Sequence, residues 1–237
     1  FTNFGNADIF LAKFDAAGTL QWARQAGGAG EDAASGVAVA ADGSAYLVGA
    51  LGGNGSFSSS NVTSLAGAAS DGFVTKYAPG GSVTWVRQFG GSGVSAARAV
   101  TVDGAGTVHV TGYFSGAATF GSNTLGGISG SYDAFLTRLD ASGTFAFAQQ
   151  AGGADLSGDF GLGVGADAGG NSFITGYFSG TSSIGGSSLP SQGAEDVLVT
   201  RFNQFTGGGP PQLGLQRNGA QFRMRWPLAS SSYILQS

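Results

Sequence analysis

Short apolar stretches alternate with small polar ones along most of this chain. The apolar stretches are rich in Val, Ile, Phe, Tyr and Thr, and Gly or Asp stands at their ends. This composition, with turn residues on both sides, is typical of β-strands. Four such stretches form a set, which we call strands a, b, c and d. One complete set occupies residues 99–106, 107–114, 133–140 and 144–152.

The set is repeated with a period of about 63 residues. Strand c opens successive copies as DIFLAKFDAAG, DGFVTKYAPGG, DAFLTRLDASG and DVLVTRFNQFTGG, which begin at Asp8, Asp71, Asp133 and Asp196. A fixed period of this size indicates one supersecondary unit copied along the chain. We therefore divide residues 1–203 into copies at 8–70, 71–132 and 133–195, with a partial copy at 196–203.

Two kinds of connection join the strands. The a–b and c–d connections are short and read Asp-x-x-Gly, as in Asp103 to Gly106 and Asp140 to Gly143. The Asp accepts a backbone N–H and the Gly adopts a positive φ, which predicts a type I turn with a bulge. Successive turns of an antiparallel meander alternate between its two ends. The tight turns should therefore lie at one end and the long b–c and d–a loops at the other, where binding is more often found.

The long b–c loop carries its own recurring apolar pair. The pairs are Phe57 with Val62, Phe120 with Leu125, and Ile184 with Leu189. A loop with such a pattern is expected to be ordered, and a small extra hairpin packed on the sheet is one form it could take.

Apolar residues occupy both faces of strand b. Tyr46, His109 and Phe173 share one face, and the residues that follow them share the other. A sheet sandwiched between neighbours needs two apolar faces. Large side chains also recur at one slot of strand d, as Trp22, Trp85 and Phe147. A four-stranded unit of this size, packed on both sides, predicts the blade of a β-propeller.

The run DAFLTRLDASG, an aromatic strand d ending in Gly-Gly, and then VTVDGAGTVHVTGYF resemble the bacterial seven-bladed β-propeller (SBBP-type) repeat family over residues 1–203. The resemblance implies propeller blades of four antiparallel strands and an exported, extracellular or cell-surface bacterial protein. It supplies no catalytic residues. The expected fold is thus all-β, an incomplete propeller or open arc of about three to four blades. Further blades are expected from another part of the same chain.

The C-terminal part reads differently. Residues 204–211 are rich in Gly and Pro and predict a linker. Residues 212–237 contain three short predicted strands, with Asn218-Gly219 as a hairpin turn. This segment resembles the start of a fibronectin-type-III-like module, so we predict a partial β-sandwich-like segment.

Composition narrows the possible functions. The chain has 45 glycines, no cysteine, 10% charged residues and a net charge of −4. The few cations argue against a nucleic-acid surface, and the absence of cysteine excludes disulfides and thiolate metal sites. No apolar run reaches the ~18 residues of a membrane span.

Few residues suggest chemistry. Glu31, Asp32, Asp155 and Asp159 in the d–a loops are the candidate metal ligands, with Ca²⁺ as the ion. The favoured interpretation is solvated loop charge, because the equivalent loop of the middle copy, Gly90 to Ala97, has no carboxylate. His109 is the only histidine; it stands in a strand slot and is expected to be packed. A recurring cation on strand c, present as Lys13, Lys76, Arg138 and Arg201, predicts either a structural pair or a ligand-facing ring.

Three hypotheses about function follow. The favoured one is a non-catalytic scaffold in protein–protein contact or surface adhesion, because no catalytic constellation is visible. The second is a carbohydrate-binding or carbohydrate-active propeller whose ligand face at the long-loop end includes Tyr113, Phe114, Tyr177 and Phe178. The third is a repeat stiffened by calcium.

Overall fold

A computed structural model describes residues 1, 4–58, 60–65, 70–128, 130–153, 158–203, 214–218 and 221–225. Every regular element in these ranges is a β-strand, which confirms the all-β prediction. The strands are β1 (Ile9–Phe14), β2 (Leu20–Gly27), β3 (Ala33–Val39), β4 (Ala45–Leu51), β5 (Gly55–Phe57), β6 (Ser60–Val62), β7 (Asp71–Tyr77), β8 (Val83–Gly91), β9 (Ser95–Val102), β10 (Val108–Phe114), β11 (Ala117–Phe120), β12 (Asn123–Gly126), β13 (Asp133–Leu139), β14 (Phe145–Gly152), β15 (Phe160–Ala166), β16 (Ser172–Phe178), β17 (Thr181–Ile184), β18 (Ser187–Pro190), β19 (Asp196–Phe202), β20 (Gly214–Asn218) and β21 (Gln221–Arg225).

The strands up to β19 form four antiparallel sheets within the described residues. The first sheet has the order β1-β2-β5-β6, and the second β3-β4-β7-β8-β11-β12. The third has the order β9-β10-β13-β14-β17-β18, and the fourth β15-β16-β19. Strands a, b, c and d are neighbours in the second and third sheets, in the predicted order.

The second and third sheets have six strands, not four, because the b–c loop contributes a hairpin. That hairpin does not join the sheet of its own strands b and c. Instead β11 pairs with the end of β8 in the preceding sheet, through Ala118 opposite Gly91, and β17 pairs with β14 through Ile184 opposite Ala151. Each sequence copy is therefore divided between two sheets, and neighbouring copies are interlocked by backbone hydrogen bonds.

The tight turns form as predicted. In the turn after β9, Gly106 N donates to Asp103 O at 3.0 Å, and Gly106 has a φ of 84°. The Asp103 carboxylate accepts two further backbone N–H groups, from Ala105 and Thr107. The c–d turns at Asp15 and Asp140 repeat this arrangement, whereas the turn at Ala78 keeps only the backbone bond from Gly81 N to Ala78 O. The strands beside these turns show the predicted bulge, for example between Arg138 and Leu139.

A hydrophobic core lies between each pair of successive sheets. The first contains Leu47, Phe57 and Phe73; the second Tyr46, Trp85, Phe89 and Phe120; the third Leu136, Ile174 and Phe178. Strand b is buried on both faces in the middle of the stack, as predicted: His109 and Val110 are both fully buried. The a strands lie together, because β9 packs against β3 and β15 packs against β9.

A side-chain clamp joins successive copies at the tight-turn end. Trp85 Nε1 donates to Ala141 O at 3.2 Å, and Arg87 Nε donates to Gly143 O at 2.9 Å. The first copy makes the same contacts from Trp22 and Arg24 to the carbonyl oxygens of Pro79, Gly80 and Gly81. Each tryptophan lies directly on the bulge glycine of the next copy, where a Cβ would come within 3 Å of the indole. The recurring tryptophan slot therefore packs against the neighbouring copy.

The C-terminal strands β20 and β21 pair with each other, with Asn218 opposite Gln221. The predicted linker at 204–211, the third strand of 212–237 and Gly219 lie outside the described residues. None of the described residues forms a helix that could cross a membrane.

Candidate functional site

Four aromatic rings meet at the long-loop end, between the third and fourth sheets. Tyr113 and Tyr177 are the penultimate residues of β10 and β16, and Phe160 begins β15. The Phe160 centroid is 4.9 Å from Tyr113 and 5.0 Å from Tyr177. Tyr132, in the loop before β13, lies 5.2 Å from Tyr113 and 5.4 Å from Phe160. All four rings are half-buried, so we call them the aromatic surface.

A cation borders this surface. The exposed Arg98 places its guanidinium carbon 5.1 Å from the Tyr113 ring centroid, and its Nη2 donates to the Tyr113 hydroxyl oxygen at 3.1 Å. Stacking of guanidinium on a ring and the hydrogen bond together restrict the orientation of Tyr113. The site therefore offers rigid apolar ring surface, phenolic hydroxyls and one positive charge.

The repeat itself does not require these rings. The register pair Phe160–Tyr177 corresponds to Ala96–Tyr113 one copy earlier and to Ala33–Ala50 two copies earlier. Ser70 occupies the position of Tyr132 in the preceding copy. The Ser70 carbonyl accepts the N–H of Ser95, and the Tyr132 carbonyl accepts the N–H of Asp159, which is the residue equivalent to Ser95. Apart from Tyr113 itself, the equivalent places hold small residues, namely Ala33, Ala50, Ser70 and Ala96. The aromatic surface is therefore confined to the third and fourth sheets and is added to the common fold.

Two of the four predicted ligand-face residues reach this surface. Tyr113 and Tyr177 are part of it, whereas Phe114 is fully buried and Phe178 is 7% exposed. Successive residues of a strand point to opposite faces, so Phe114 and Phe178 enter the hydrophobic cores while their neighbours point the other way. Phe160 and Tyr132 were missed because each stands alone in its loop. An alignment of the copies could have found them, because the preceding copy has Ala96 at the position of Phe160 and Ser70 at the position of Tyr132.

The predicted metal ligands do not converge. Glu31 is exposed, while Asp32 and Asp159 are buried in different copies. Asp32 accepts the N–H groups of Gly28 and Gly52, and Asp159 accepts that of Gly153, so both carboxylates organise their loops. Asp155 lies outside the described residues. Within the described ranges no three acidic or histidine side chains form a group that could hold a metal ion.

A buried polar network that includes the single histidine was not foreseen. His109 Nε2 lies 3.1 Å from Asp103 Oδ2, and Nδ1 lies 2.7 Å from Ser172 Oγ in the next sheet. Arg138 Nε donates to the same Ser172 oxygen at 2.8 Å. Since a carboxylate only accepts, Nε2 carries the proton and Nδ1 accepts from the serine hydroxyl. The packed environment predicted for His109 is confirmed.

This network resembles a Ser-His-Asp triad in composition but differs from it in geometry and access. In the hydrolytic triad the carboxylate orients Nδ1 and the serine faces Nε2; here the two ring nitrogens have exchanged partners. Ser172 and His109 are also fully buried, and the serine oxygen already accepts from Arg138. The arrangement joins two sheets by internal hydrogen bonds.

The recurring cations of strand c are structural contacts. Lys76 Nζ lies 5.3 Å from the Tyr46 ring centroid, and the Arg201 guanidinium carbon lies 5.8 Å from that of Phe173. Lys13 Nζ donates to Pro79 O at 3.3 Å in the next copy. These side chains lie over strand b or reach the neighbouring turn, as the structural interpretation of the slot expects.

Comparison with known proteins leaves the family open. The chain matches no family model, and no curated protein matches it. Among solved structures it is similar to a crystal structure of a protein of unknown function from Bacteroides caccae. The identity is 11%, the match covers 92% of this chain and 82% of that one, and the TM-score is 0.26.

Proposed function

We propose that this chain is a non-catalytic scaffold of β-propeller type, from an exported bacterial protein, which binds a protein partner through the aromatic surface. The observation that carries the proposal is the half-buried group of Tyr113, Tyr132, Phe160 and Tyr177 beside Arg98. Tyrosine and arginine are among the residues that contribute most to protein–protein binding energy. Rings already held by their neighbours lose little conformational freedom on binding.

Three features support a propeller-type arrangement of the sheets. The a strands β3, β9 and β15 are neighbours, a core fills each space between successive sheets, and both faces of the middle sheets are covered. These features fit blades that surround a common axis with strand a innermost. The extracellular location rests on the resemblance of the repeat sequence.

The binding proposal can be tested with a photo-crosslinking residue in place of Tyr177, in the purified chain exposed to bacterial cell-surface and culture-medium proteins. A partner captured there should bind the unmodified chain, and Tyr113→Ala or Tyr177→Ala should weaken that affinity by about tenfold or more. The matched control is Gln21→Ala, an exposed change at the tight-turn end, which should leave the affinity unchanged. Equal affinity for all variants would exclude the aromatic surface as the binding site.

Carbohydrate binding is the second candidate. Tyrosine rings present a flat apolar body with a polar tip, and Arg98 adds a donor at the edge. Titration with neutral and acidic oligosaccharides distinguishes the two candidates, since only a glycan site gives saturable heat that Tyr113→Ala abolishes.

Calcium stiffening of the repeats remains a third proposal. The buried Asp71 Oδ1 has no hydrogen-bond partner among the described residues. An unchanged melting temperature on addition of calcium would remove this proposal.

A further inference from the structure

The a strands β3, β9 and β15 share one irregularity, a β-bulge at the same position. Each has one residue without a partner in the neighbouring b strand, namely Ser35, Arg98 or Leu162. Beside each bulge strand b carries a glycine, because a Cβ there would collide with a carbonyl oxygen of strand a. These glycines are Gly49, Gly112 and Gly176. The bulge is therefore built into the repeat, and bulges commonly re-aim a side chain beside a binding site.

The bulges of successive sheets lie against each other. A Cβ on Gly36, the residue after the first bulge, would lie 3.3 Å from Arg98 O. A Cβ on Gly161, the residue before the third bulge, would lie within 3.0 Å of Thr111 Oγ1 and Gly112 O, where the pairing of β10 with β9 shifts. The three bulge residues therefore form one row across the a strands, which we call the bulge row.

Every member of the bulge row is exposed. In β9 and β15 the preceding residue is buried, yet Arg98 is exposed and Leu162 is 49% exposed. The row is also chemically varied, because one slot of the repeat holds a hydroxyl, a guanidinium and an aliphatic side chain. A slot that served only packing between copies would favour one kind of side chain. The repeat thus keeps the backbone of the bulge and changes the group that the bulge presents.

Arg98 joins the bulge row to the aromatic surface. Its guanidinium lies over the Tyr113 ring, and Nη2 donates to the Tyr113 hydroxyl. Neither of the two ion pairs among the described residues includes Arg98. Nε and Nη1 can therefore donate to a carboxylate in the two-bond arrangement that arginine favours. Because Tyr113 already holds the guanidinium, binding costs little conformational freedom.

The rings beside Arg98 present edges more than open faces. Arg98 covers one face of Tyr113, and Tyr132 and Phe160 meet Tyr113 at 83° and 62°. Phe160 in turn stacks on Tyr177. A sugar ring stacks on an open, flat aromatic face, whereas the irregular side chains of a peptide can pack against ring edges. The arrangement therefore favours a peptide over a glycan.

On the basis of the proposed protein-binding function of the aromatic surface, we propose that the bulge row selects the partner. The partner presents an extended peptide segment in which a carboxylate side chain lies next to a large apolar one. Arg98 binds the carboxylate, and Leu162 covers the apolar side chain beside the aromatic surface. Arg98 and Leu162 are thus specificity-determining residues.

The test is a selection of random peptides, displayed on phage, against the immobilised full chain. Enriched peptides should carry Asp or Glu next to Leu, Ile or an aromatic residue. The same selection on Arg98→Glu should enrich Lys or Arg in place of the acid. Leu162→Ser should keep the preference for an acid and lose the preference for a large apolar neighbour.

Affinities of one enriched peptide, made synthetically, measure the contact itself. Arg98→Gln keeps a donor for the Tyr113 hydroxyl and removes only the charge, so it should bind roughly tenfold more weakly or worse. Its affinity should also respond less to added salt than that of the unmodified chain. The matched control is Lys13→Gln, the same loss of charge at the tight-turn end, which should leave the affinity unchanged.

Tyr177→Ala separates this inference from the function on which it rests. Loss of binding in Tyr177→Ala, with Arg98→Gln and Leu162→Ser unaffected, would overturn the role of the bulge row and leave the aromatic surface as a binding site. Equal affinity in all variants would overturn both. The inference is also overturned if no acidic peptide is enriched, or if oligogalacturonate binds saturably and Arg98→Gln abolishes that binding, since the carboxylate would then belong to a glycan.

Discussion

At the scale of single residues, His109 illustrates how one substitution within a repeat can create a polar connection. The same slot holds Tyr46 in one copy and Phe173 in another, and each of these rings lies opposite a cation, Lys76 or Arg201. Here the imidazole joins Asp103 on its own turn to Ser172 in the next sheet. Burial lowers the pKa of His109, opposed by the Asp103 hydrogen bond and reinforced by the positive charge of Arg138.

This lowered pKa predicts a pH dependence of stability with a definite sign. The unfolded histidine titrates near 6.5, so below that pH the unfolded chain binds a proton that the folded chain resists. The contribution of His109 is therefore fully present above about pH 6.5 and is lost as the pH falls from there through the folded pKa. One proton limits the slope of the unfolding free energy to about 1.4 kcal/mol per pH unit.

The measurement is urea unfolding from pH 8 to 5 for the unmodified chain and for His109→Phe, the ring found at Phe173. The difference in unfolding free energy between the two proteins should change with pH in this window. A constant difference would show that His109 does not titrate on unfolding.

Ser58 provides a second prediction at this scale. It is exposed and has a φ of 55°, in the turn between β5 and β6. Glycine occupies the same turn position in later copies, as Gly121 with φ 63° and Gly185 with φ 57°. A left-handed backbone is unfavourable for residues with a Cβ, so Ser58→Gly should raise the unfolding free energy by about 1 kcal/mol. Thermal unfolding checks this, and Ser56→Gly is the control that should give no gain.

Residue identities showed which positions recur, but not how deeply each is buried. The pairs Tyr113–Phe114 and Tyr177–Phe178 looked like continuous aromatic surface in the sequence, yet strand geometry sends one member of each pair inward. Similarly, Asp32 and Asp159 resembled loop charges but are buried acceptors of backbone N–H groups. Sequence spacing along a loop gives no information about such contacts.

At the scale of elements, the clamp from strand d to the next c–d turn determines how copies stack. Trp85→Phe with Arg87→Gln reproduces the residues of the third copy, Phe147 and Gln149. It removes the indole and guanidinium hydrogen bonds to the turn at residues 141–143. The double change should lower the unfolding free energy by about 2–4 kcal/mol, from lost packing and several unmade hydrogen bonds.

The third copy tolerates Phe147 and Gln149 in these slots because another side chain makes the contact with the next copy. There Arg138 replaces the clamp, with Nη2 donating to Phe202 O and Asn203 O, both at 2.9 Å. The second copy has Lys76 in that slot, over Tyr46. Lys76→Arg added to the double variant should therefore restore part of the lost stability. A double variant as stable as the parent in urea unfolding would contradict the role given to the clamp.

Strand positions and turn types were accessible from the sequence because they depend on local signals: alternation, Asp-x-x-Gly, and a fixed period. The partner of the b–c hairpin was not. A period shows that Phe57, Phe120 and Ile184 are equivalent, but it cannot show that each hairpin extends the preceding sheet rather than its own. Pairing between copies depends on how the sheets stack, which is a property of the assembled chain.

At the scale of the whole molecule, stability should be uneven across the stack. The second and third sheets have a core on each face, whereas the first and fourth border one core each among the described residues. In repeat architectures stability is approximately the sum of each unit and its contacts with nearest neighbours. Opening a terminal sheet therefore disrupts only one core and should cost less free energy than opening a central sheet.

Native-state hydrogen exchange should reveal this gradient. Amides of β10 and β13, at the centre of the third sheet, should exchange slowest, at a rate set by global unfolding. Amides of β1 and β19 should exchange faster by roughly a hundredfold, through opening of the end sheets alone. Phe120→Ala, in the central core, should accelerate exchange everywhere, whereas Ile184→Ala, between the third and fourth sheets, should act mainly on β15, β16 and β19. Uniform exchange across all four sheets would instead mean that the stack unfolds as one cooperative body.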